Sequence, residues 1–154
     1  MNKITEIFKL QSDEEIIIKI GEIIWERLEY DYKNICNLSE VNKTFVYIDI
    51  LEAQVNNGGF DQFFFNSSGD YTYEILKVYE NISAFKTAKI IFEAIQLFPE
   101  LPVSKDTAKR RKQLENLNEN RWGKWDHLDD KFYEYEEDIV KLLADYLKEN
   151  KNQV

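Results

Sequence analysis

The chain has 154 residues, 44% of them hydrophobic and 14% aromatic, which is enough apolar material for one domain with a buried core. Its 20 Lys and Arg residues against 29 Asp and Glu residues give a formal net charge of −9. This charge argues against direct binding to nucleic acid or to an anionic membrane, and it favours a basic protein as the partner. The alternative is that the acidity only keeps the protein soluble.

The chain offers few residues for disulfide or metal chemistry. Cys36 is the only cysteine, which excludes an internal disulfide, and His127 is the only histidine, which excludes a multi-histidine metal site. No apolar run approaches the roughly 18 residues of a membrane span, and residues 1–6 lack the apolar core of a signal peptide. We therefore expect a cytoplasmic protein that uses no metal and no cofactor.

The first third of the chain predicts three helices. A short one is expected over residues 3–10. Ser12 can form a capping box with Glu15, and the apolar stripe that follows predicts a helix over residues 13–30. A third helix is expected over residues 40–57. The outer face of the second helix carries Glu22, Glu26 and Glu29.

Glu52 lies among the apolar positions of the third predicted helix. A buried carboxylate needs hydrogen-bond donors. We expect Glu52 to accept hydrogen bonds from amides of the nearby loop and so to hold the glycine turn that follows. The alternative is a catalytic acid whose pKa is raised by burial.

The stretch from Val55 to Asn66 joins this helix to a block of aromatic residues through two glycines. Asn57 and Gly58 can end the helix because both residue types enter the left-handed region cheaply, and Gly59 allows a second turn or close packing. Three phenylalanines at spacings of three and four predict a short, inward-facing aromatic segment, namely Phe60, Phe63 and Phe64. The alternative is that polar side chains of the stretch contact a partner, namely Asn57, Asp61, Gln62 and Asn66.

The same stretch resembles the signature of the bacterial DNA-mimic protein family, small all-helical proteins long labelled as a domain of unknown function. The resemblance is strongest over residues 40–100. The family's named member is described as an acidic protein that occupies the DNA-binding surface of a transcription factor, and the resemblance implies a helical fold and such a function here. The resemblance rests on Glu52, Val55, Asn57, Gly58, Gly59, Phe60, Gln62, Phe63, Phe64 and Asn66, which we expect to serve folding.

The middle of the chain predicts two further helices and then a basic segment. The helices are expected over residues 71–82 and 83–98. The second has an inward apolar stripe of Phe85, Ala88, Phe92 and Ile95, with Ile91 and Phe98 beside it.

Residues 104–125 reverse the charge, because seven Lys and Arg residues against three acids give seven minus three, or +4. Their low apolar content predicts an exposed helix or a mobile arm. A nucleic-acid patch at residues 109–112 is one interpretation. A basic helix lying against acidic neighbours is the favoured one.

The C-terminal part combines aromatic and acidic residues. Residues 122–125 (WGKW) predict a compact aromatic turn that either plugs the base of the core or forms an exposed binding edge. The clearest helical periodicity in the chain then predicts one helix over residues 127–149. Side chains three and four residues apart on a helix lie about 5–6 Å apart, so the acids there can form a row of charge. The predicted partner-binding acids are Asp126, Asp129, Asp130, Glu134, Glu137 and Asp138, joined by Glu22, Glu26 and Glu29.

These patterns predict one compact all-α domain of six or seven helices, spanning residues 1–154, with a core over residues 13–150 and a frayed tail at 150–154. The leading function is a non-enzymatic, acidic protein-binding module, in its sharpest form a DNA mimic that covers the basic surface of a DNA-binding transcription factor. We expect a monomer or a dimer. The alternatives are an immunity-type inhibitor of a basic toxin, and an enzyme or ligand-binding protein with a polar pocket near Glu52, Asn57, Gln62 and Asn66.

Overall fold

Every regular element in the described part of the chain is helical, which confirms the predicted all-α fold class. The computed structural model describes residues 3–117 and 119–154, without the side chains of residues 119–122. None of the described helices has both the length and the apolar content of a membrane span. The α-helices are α1 (Lys3–Ile7), α2 (Asp13–Arg27), α3 (Glu40–Phe65), α4 (Thr72–Asn81), α5 (Phe85–Gln96), α6 (Thr107–Glu115), α7 (Glu119–Tyr133) and α8 (Ile139–Glu149), with 3₁₀ turns at Tyr32–Asn37, Ser67–Tyr71 and Lys151–Gln153.

Eight α-helices in these described ranges exceed the six or seven predicted. The prediction of one continuous helix over residues 127–149 is wrong. That stretch holds the end of α7 and all of α8, and between them Tyr135 has a φ of 44°, which lies outside the right-handed helical region. The predicted aromatic turn at residues 122–125 is also wrong, because these residues lie inside α7. The side chain of Trp122 lies outside the described residues.

Contacts between Cα atoms divide the chain into two compact units. The first comprises Met1–Val46 and Asp138–Val154. Here α2 packs against α8, and Ser12 caps α2 by accepting a hydrogen bond from the Glu15 amide at 3.3 Å. Gly21 permits close packing, because a Cβ atom there would lie 2.8 Å from the ring of Phe45. The buried stripe of α2 and the residue after it consists of Ile16, Ile20, Ile24 and Leu28.

The second unit, Tyr47–Glu137, is built around aromatic side chains. Phe60, Phe63 and Phe64 are fully buried, and the Phe64 ring stacks on Trp125 with 5.1 Å between ring centroids. The Trp125 indole N–H donates to the carbonyl oxygen of Ala94 at 3.0 Å. The buried indole N–H therefore has a hydrogen-bond acceptor, and this bond links α7 to α5.

The basic segment contributes a buried arginine to this unit. Arg110 on α6 is 0% exposed, and its guanidinium donates to the carbonyl oxygens of Phe64 at 2.6 Å and of Asn66 at 2.7 Å. It also forms an ion pair with Asp70 at 2.8 Å. Carbonyl groups at the end of a helix have no donor within the helix, and the Arg110 guanidinium donates to those at the end of α3. We predicted that residues 104–125 form an exposed helix or a mobile arm, and this prediction is wrong for Arg110, which is buried.

The buried face of α5 differs in part from the face that the sequence predicts. The predicted inward stripe included Phe85 and Phe92, which are 64% and 50% exposed. Of the predicted stripe, Ala88 and Ile95 are buried, and α5 also buries Thr87, Ile91 and Ala94. An exposed pair of phenylalanines is thus left on the outer side of the helix.

Candidate functional site

The glycine turn at Gly58–Gly59 interrupts α3. Gly58 has φ −159° and ψ 23°, and Gly59 has φ 72° and ψ −175°. Only Gly59 occupies the region that favours glycine, so the prediction that Asn57 and Gly58 take the left-handed conformation is wrong. Residues 60–65 then resume the helix, and their first amide groups lack carbonyl partners within it.

Asp129 on α7 supplies the acceptor that the restarted helix needs. Its Oδ1 accepts a hydrogen bond from the Phe60 amide at 2.8 Å. A Cβ atom on Gly59 would collide with the same carboxylate, so glycine is required both by its φ and by the space. The expectation that Glu52 holds this turn is wrong: a carboxylate far along the sequence holds it.

Three more acids surround Asp129, and we call Asp61, Asp126, Asp129 and Asp130 the acidic quartet. Asp126, Asp129 and Asp130 are spaced three and four residues apart on α7 and so share one face. Asp61 lies in the first turn after the glycine turn. Asp129 is partly buried, whereas the other three are exposed.

Burial and the neighbouring acids raise the pKa of two members of the quartet, Asp129 and Asp61. Burial, followed by the charges of Asp126, Asp130 and Asp61, raises the pKa of Asp129 to about 6, against the lowering effect of the Phe60 amide. Burial and then Asp126 raise the pKa of Asp61. No described Lys or Arg side chain forms an ion pair with any member of the quartet. The quartet is therefore a concentration of negative charge that the described cations leave uncompensated.

Glu52 belongs to a second polar cluster, formed with tyrosines rather than with loop amides. Its Oε1 accepts from the buried Tyr79 hydroxyl at 2.7 Å, and its Oε2 accepts from the Tyr135 hydroxyl at 2.6 Å. The Asn56 side chain donates to the Tyr135 oxygen at 2.6 Å. Burial raises the pKa of Glu52, and hydrogen bonds to its carboxylate from Tyr135, Tyr79 and, at 3.4 Å, the Asn56 side chain oppose that rise. Burial and Glu52 together raise the pKa of Tyr135 to about 12.

The amide side chains of the signature stretch form a third cluster. Gln54 Oε1 accepts from Gln62 Nε2 and from Asn66 Nδ2, each at 3.0 Å, and Gln62 Oε1 accepts from Asn57 Nδ2 at 2.8 Å. These bonds tie the helix before the glycine turn to the helix after it. Each of these amide side chains therefore has a hydrogen-bond partner within the signature stretch or in Gln54.

The other predicted binding acids are not members of the quartet, and two of them cap helices. Glu137 accepts hydrogen bonds from the Lys86 and Thr87 amides at 3.0 and 2.8 Å and thereby caps α5. Asp138 caps α8 by accepting from the Lys141 amide at 2.9 Å. The predicted row of Glu134, Glu137 and Asp138 on one helix is wrong because α7 ends at Tyr133. Three others are exposed in the first unit, namely Glu22, Glu26 and Glu29.

Sequence analysis missed the contribution of Asp61 to an acidic cluster. Asp61 was considered only as one polar residue of the signature stretch, and nothing in the sequence indicates that α7 packs beside that stretch. Among the described residues, no group of three or more His, Cys, Asp or Glu side chains could hold a metal ion.

A comparison with protein families finds a match over most of the chain. A family model described as DMP19-like protein matches residues 36–150. No curated protein and no solved structure matches the chain. The matched range holds the glycine turn, the aromatic residues around it, Arg110 and the whole acidic quartet.

Proposed function

Because the chain belongs to the DMP19-like protein family, we propose that it is a non-enzymatic, acidic module that binds a basic protein through the acidic quartet. In the sharper form of the proposal, the quartet takes the place of DNA phosphates and covers the DNA-binding surface of a transcription factor. The resemblance to the bacterial DNA-mimic protein family supports that form, and so does the net charge of −9.

The observation that carries the proposal is the uncompensated charge of the quartet. The raised pKa of Asp129 means that ionisation of this carboxyl costs free energy in the folded chain. An approaching Lys or Arg side chain would remove that cost, and Arg is particularly suited because its planar donors match a carboxylate. A cluster that weakens the fold by itself and gains from a cationic partner is typical of a binding site.

The spacing of the charges limits how closely the quartet can resemble DNA. Acids three and four residues apart on α7 place charges about 5–6 Å from one another. DNA carries one charge per roughly 1.7 Å of axis when both strands are counted. The quartet therefore offers a sparser pattern than DNA, with which it could engage several Lys and Arg residues of a groove-reading surface. We retain Glu22, Glu26 and Glu29 as a proposed second contact, to be tested separately.

The proposal is tested by affinity capture with charge-matched variants. The quartet variant carries Asp61→Asn, Asp126→Asn and Asp130→Asn, and it keeps Asp129 because that residue holds the Phe60 amide. The control removes three exposed acids elsewhere, with the same change in net charge, namely Glu15→Gln, Glu115→Gln and Glu149→Gln. Lysate of the source cells is passed over each immobilised protein at low and at high salt, and the retained proteins are identified by mass spectrometry.

We expect a DNA-binding protein to be retained at low salt by the wild type and the control, lost from the quartet variant, and released by its own operator DNA. Retention of a basic toxin instead, such as a nuclease, would replace mimicry by the immunity-type function. Equal retention by the control and the quartet variant would reject the quartet as the binding surface. A third variant, Glu22→Gln, Glu26→Gln and Glu29→Gln, determines whether α2 contributes.

The enzyme or ligand-binding alternative has less support from the geometry. It placed a polar pocket near Glu52, Asn57, Gln62 and Asn66. Glu52 instead accepts hydrogen bonds from two tyrosine hydroxyls, and the three amide side chains bond to one another or to Gln54. We accordingly propose a structural role for these four residues.

A further inference from the structure

The surface that carries the acidic quartet continues along the short helix after the glycine turn. Asp61 and Phe65 are four residues apart in that helix, so their side chains are neighbours on one face, with about 5–6 Å between Cβ atoms. Both side chains are exposed, whereas Phe63 and Phe64 point into the core. The ring of Phe65 therefore borders the quartet on its outer side.

Arg111 on α6 is fixed against this ring. The central carbon of its guanidinium lies 4.2 Å from the Phe65 ring centroid, and its Nε donates a hydrogen bond to the Phe65 carbonyl oxygen at 2.9 Å. The ring attracts the cation, and the carbonyl at the helix end gains a donor that the helix does not supply. Two contacts thus hold in one orientation a side chain that is otherwise flexible.

The two terminal nitrogens of Arg111 have no partner among the residues that the structure describes. Only its Nε takes part in a hydrogen bond, and none of the described ion pairs includes Arg111. Asp61 lies one turn before Phe65, and Glu115 lies four residues further along α6, yet neither pairs with Arg111. A fixed guanidinium with free outer donors is suited to bind a carboxylate or a phosphate through two hydrogen bonds.

The charge around Arg111 is positive, in contrast with the quartet. Residues 105–115 contain five basic and two acidic residues, so their net charge is five minus two, or +3. Asp70 and Glu74, which pair with Arg110 and Lys105, reduce this excess to +1. The exposed face after the glycine turn therefore runs from an acidic end at Asp61 to a basic end at Arg111.

We propose that Arg111, held by Phe65, recognises a carboxylate side chain of the basic partner that the quartet engages. This inference rests on the proposed function and adds a requirement to it: the partner carries an Asp or a Glu beside the Lys and Arg residues that face the quartet. A partner without that carboxylate would place its own cations against Arg111, and the repulsion would select against it.

A carboxylate fits this position better than a nucleic-acid phosphate. Duplex DNA carries one negative charge per roughly 1.7 Å of axis, so a duplex laid against Arg111 would bring further phosphates towards Asp61 and the rest of the quartet. A single carboxylate with cations on either side meets no such repulsion, because those cations face the quartet.

The proposal is tested with two fluorescently labelled peptides. Each has alternating Lys and Arg residues, followed by Gly and then by Glu in the first peptide and by Gln in the second. Two residues of an extended chain span about 6–7 Å, which matches the spacing of Asp61 and Phe65. Fluorescence anisotropy at low salt gives the dissociation constants for the wild type, Arg111→Gln and the control Arg27→Gln, which removes another exposed arginine with the same change in net charge.

The quantity compared is the ratio of the two dissociation constants, that of the Glu peptide over that of the Gln peptide. We expect this ratio to rise by about two- to fivefold in Arg111→Gln, the effect of losing one exposed ion pair, and to stay unchanged in Arg27→Gln. Arg111→Lys keeps the charge but lacks the planar donors, so its ratio should rise as well. An unchanged ratio in Arg111→Gln, or a wild-type ratio in Arg111→Lys, would overturn the role of the fixed guanidinium. Circular dichroism melting checks that each variant folds.

A labelled DNA duplex is the probe for the phosphate alternative. We expect no binding of DNA, and DNA binding that is lost in Arg111→Gln would overturn the assignment of a carboxylate. Failure of either peptide to bind the wild type would also overturn this inference, while the capture from lysate tests the proposed function separately.

The quartet variant distinguishes this inference from the proposed function on which it rests. If Asp61→Asn, Asp126→Asn and Asp130→Asn weaken both peptides but Arg111→Gln leaves the ratio unchanged, the quartet stands and the role of Arg111 fails. If the quartet variant binds both peptides like the wild type while Arg111→Gln raises the ratio, Arg111 stands as a carboxylate site and the quartet fails.

Discussion

Replacing Asp129 with Asn should stabilise the protein at neutral pH. The change removes a carboxylate whose ionisation is costly, while the Asn side-chain oxygen can still accept from the Phe60 amide. The rise of the pKa from 3.8 to about 6 corresponds to about 3 kcal/mol at about 1.36 kcal/mol per pKa unit. Solvent screening and the loss of a charge-assisted hydrogen bond reduce the expected gain to about 1–2 kcal/mol.

The pH dependence of this gain follows from proton linkage. The Asp129 carboxyl binds its proton more tightly in the folded chain than in the unfolded chain. Its contribution to stability is therefore most favourable below pH 3.8 and declines as the pH rises to about 6, after which it stays constant. Asn does not titrate, so the advantage of Asp129→Asn should be near zero at about pH 4 and reach its full value above pH 6.

Urea unfolding at several pH values measures this advantage. Asp129→Ala is the control for the hydrogen bond, because it leaves the Phe60 amide without its acceptor, and it should be about 1–2 kcal/mol less stable than Asp129→Asn. If Asp129→Asn were less stable than the wild type at pH 7.5, or if its advantage did not change between pH 4 and pH 7, the account of the quartet's electrostatics would be refuted.

Three further predictions concern the fold around the glycine turn, and each is measured by urea unfolding. Arg110→Met should cost about 3–5 kcal/mol, because it leaves the Asp70 carboxylate and several carbonyl oxygens without the buried guanidinium; a cost below about 1 kcal/mol would show that solvent replaces it. Gly59→Ala should destabilise the protein by more than about 2 kcal/mol, because of the φ of 72° and the collision with Asp129. The control Gly123→Ala should instead stabilise α7 by about 0.5–1 kcal/mol, because its Cβ would meet no described atom within 4 Å. Equal effects of the two substitutions would contradict the turn geometry. Phe63→Ala should cost roughly 3–5 kcal/mol because the ring is fully buried, and a nearly unchanged midpoint would show that the core is misplaced.

Local sequence signals were sufficient to predict much of the helical fold. Ser12 before an apolar stripe fixed the start of α2, and two adjacent glycines marked the interruption of α3. These features depend on residues next to one another in the chain, where capping and the conformational freedom of glycine act directly.

The break between α7 and α8 could not be predicted in the same way. Residues 134–138 contain neither Gly nor Pro, and the apolar period continues through them. The helix ends because of contacts with distant elements: Tyr135 bonds to Glu52, and Glu137 caps α5. Tyr135 has a φ of 44°, which is an unfavourable conformation for a bulky residue. The tertiary contacts therefore outweigh the local preference for a continuous helix.

Charge and apolar patterns likewise did not identify which side chains are buried. Four consecutive residues, 109–112, are basic, and only the packing of α6 reveals that Arg110 is the one inside. Helix α5 has apolar residues on more than one side, so the sequence did not distinguish its buried face from the face bearing Phe85 and Phe92. The acidic quartet required the same kind of information, because Asp61 joins it from α3.

The central claim is that the acidic quartet binds a basic partner, and affinity tests it most directly. The measurement is the dissociation constant of the captured partner for the wild type, the quartet variant and the charge-matched control, by isothermal titration calorimetry at one ionic strength. Three ion pairs worth about 0.5–1 kcal/mol each predict a loss of roughly 10–100-fold for Asp61→Asn, Asp126→Asn and Asp130→Asn. The control should change affinity by less than about threefold, through the general field alone. Equal losses in the two variants would contradict the claim, since net charge and not the quartet would then determine binding.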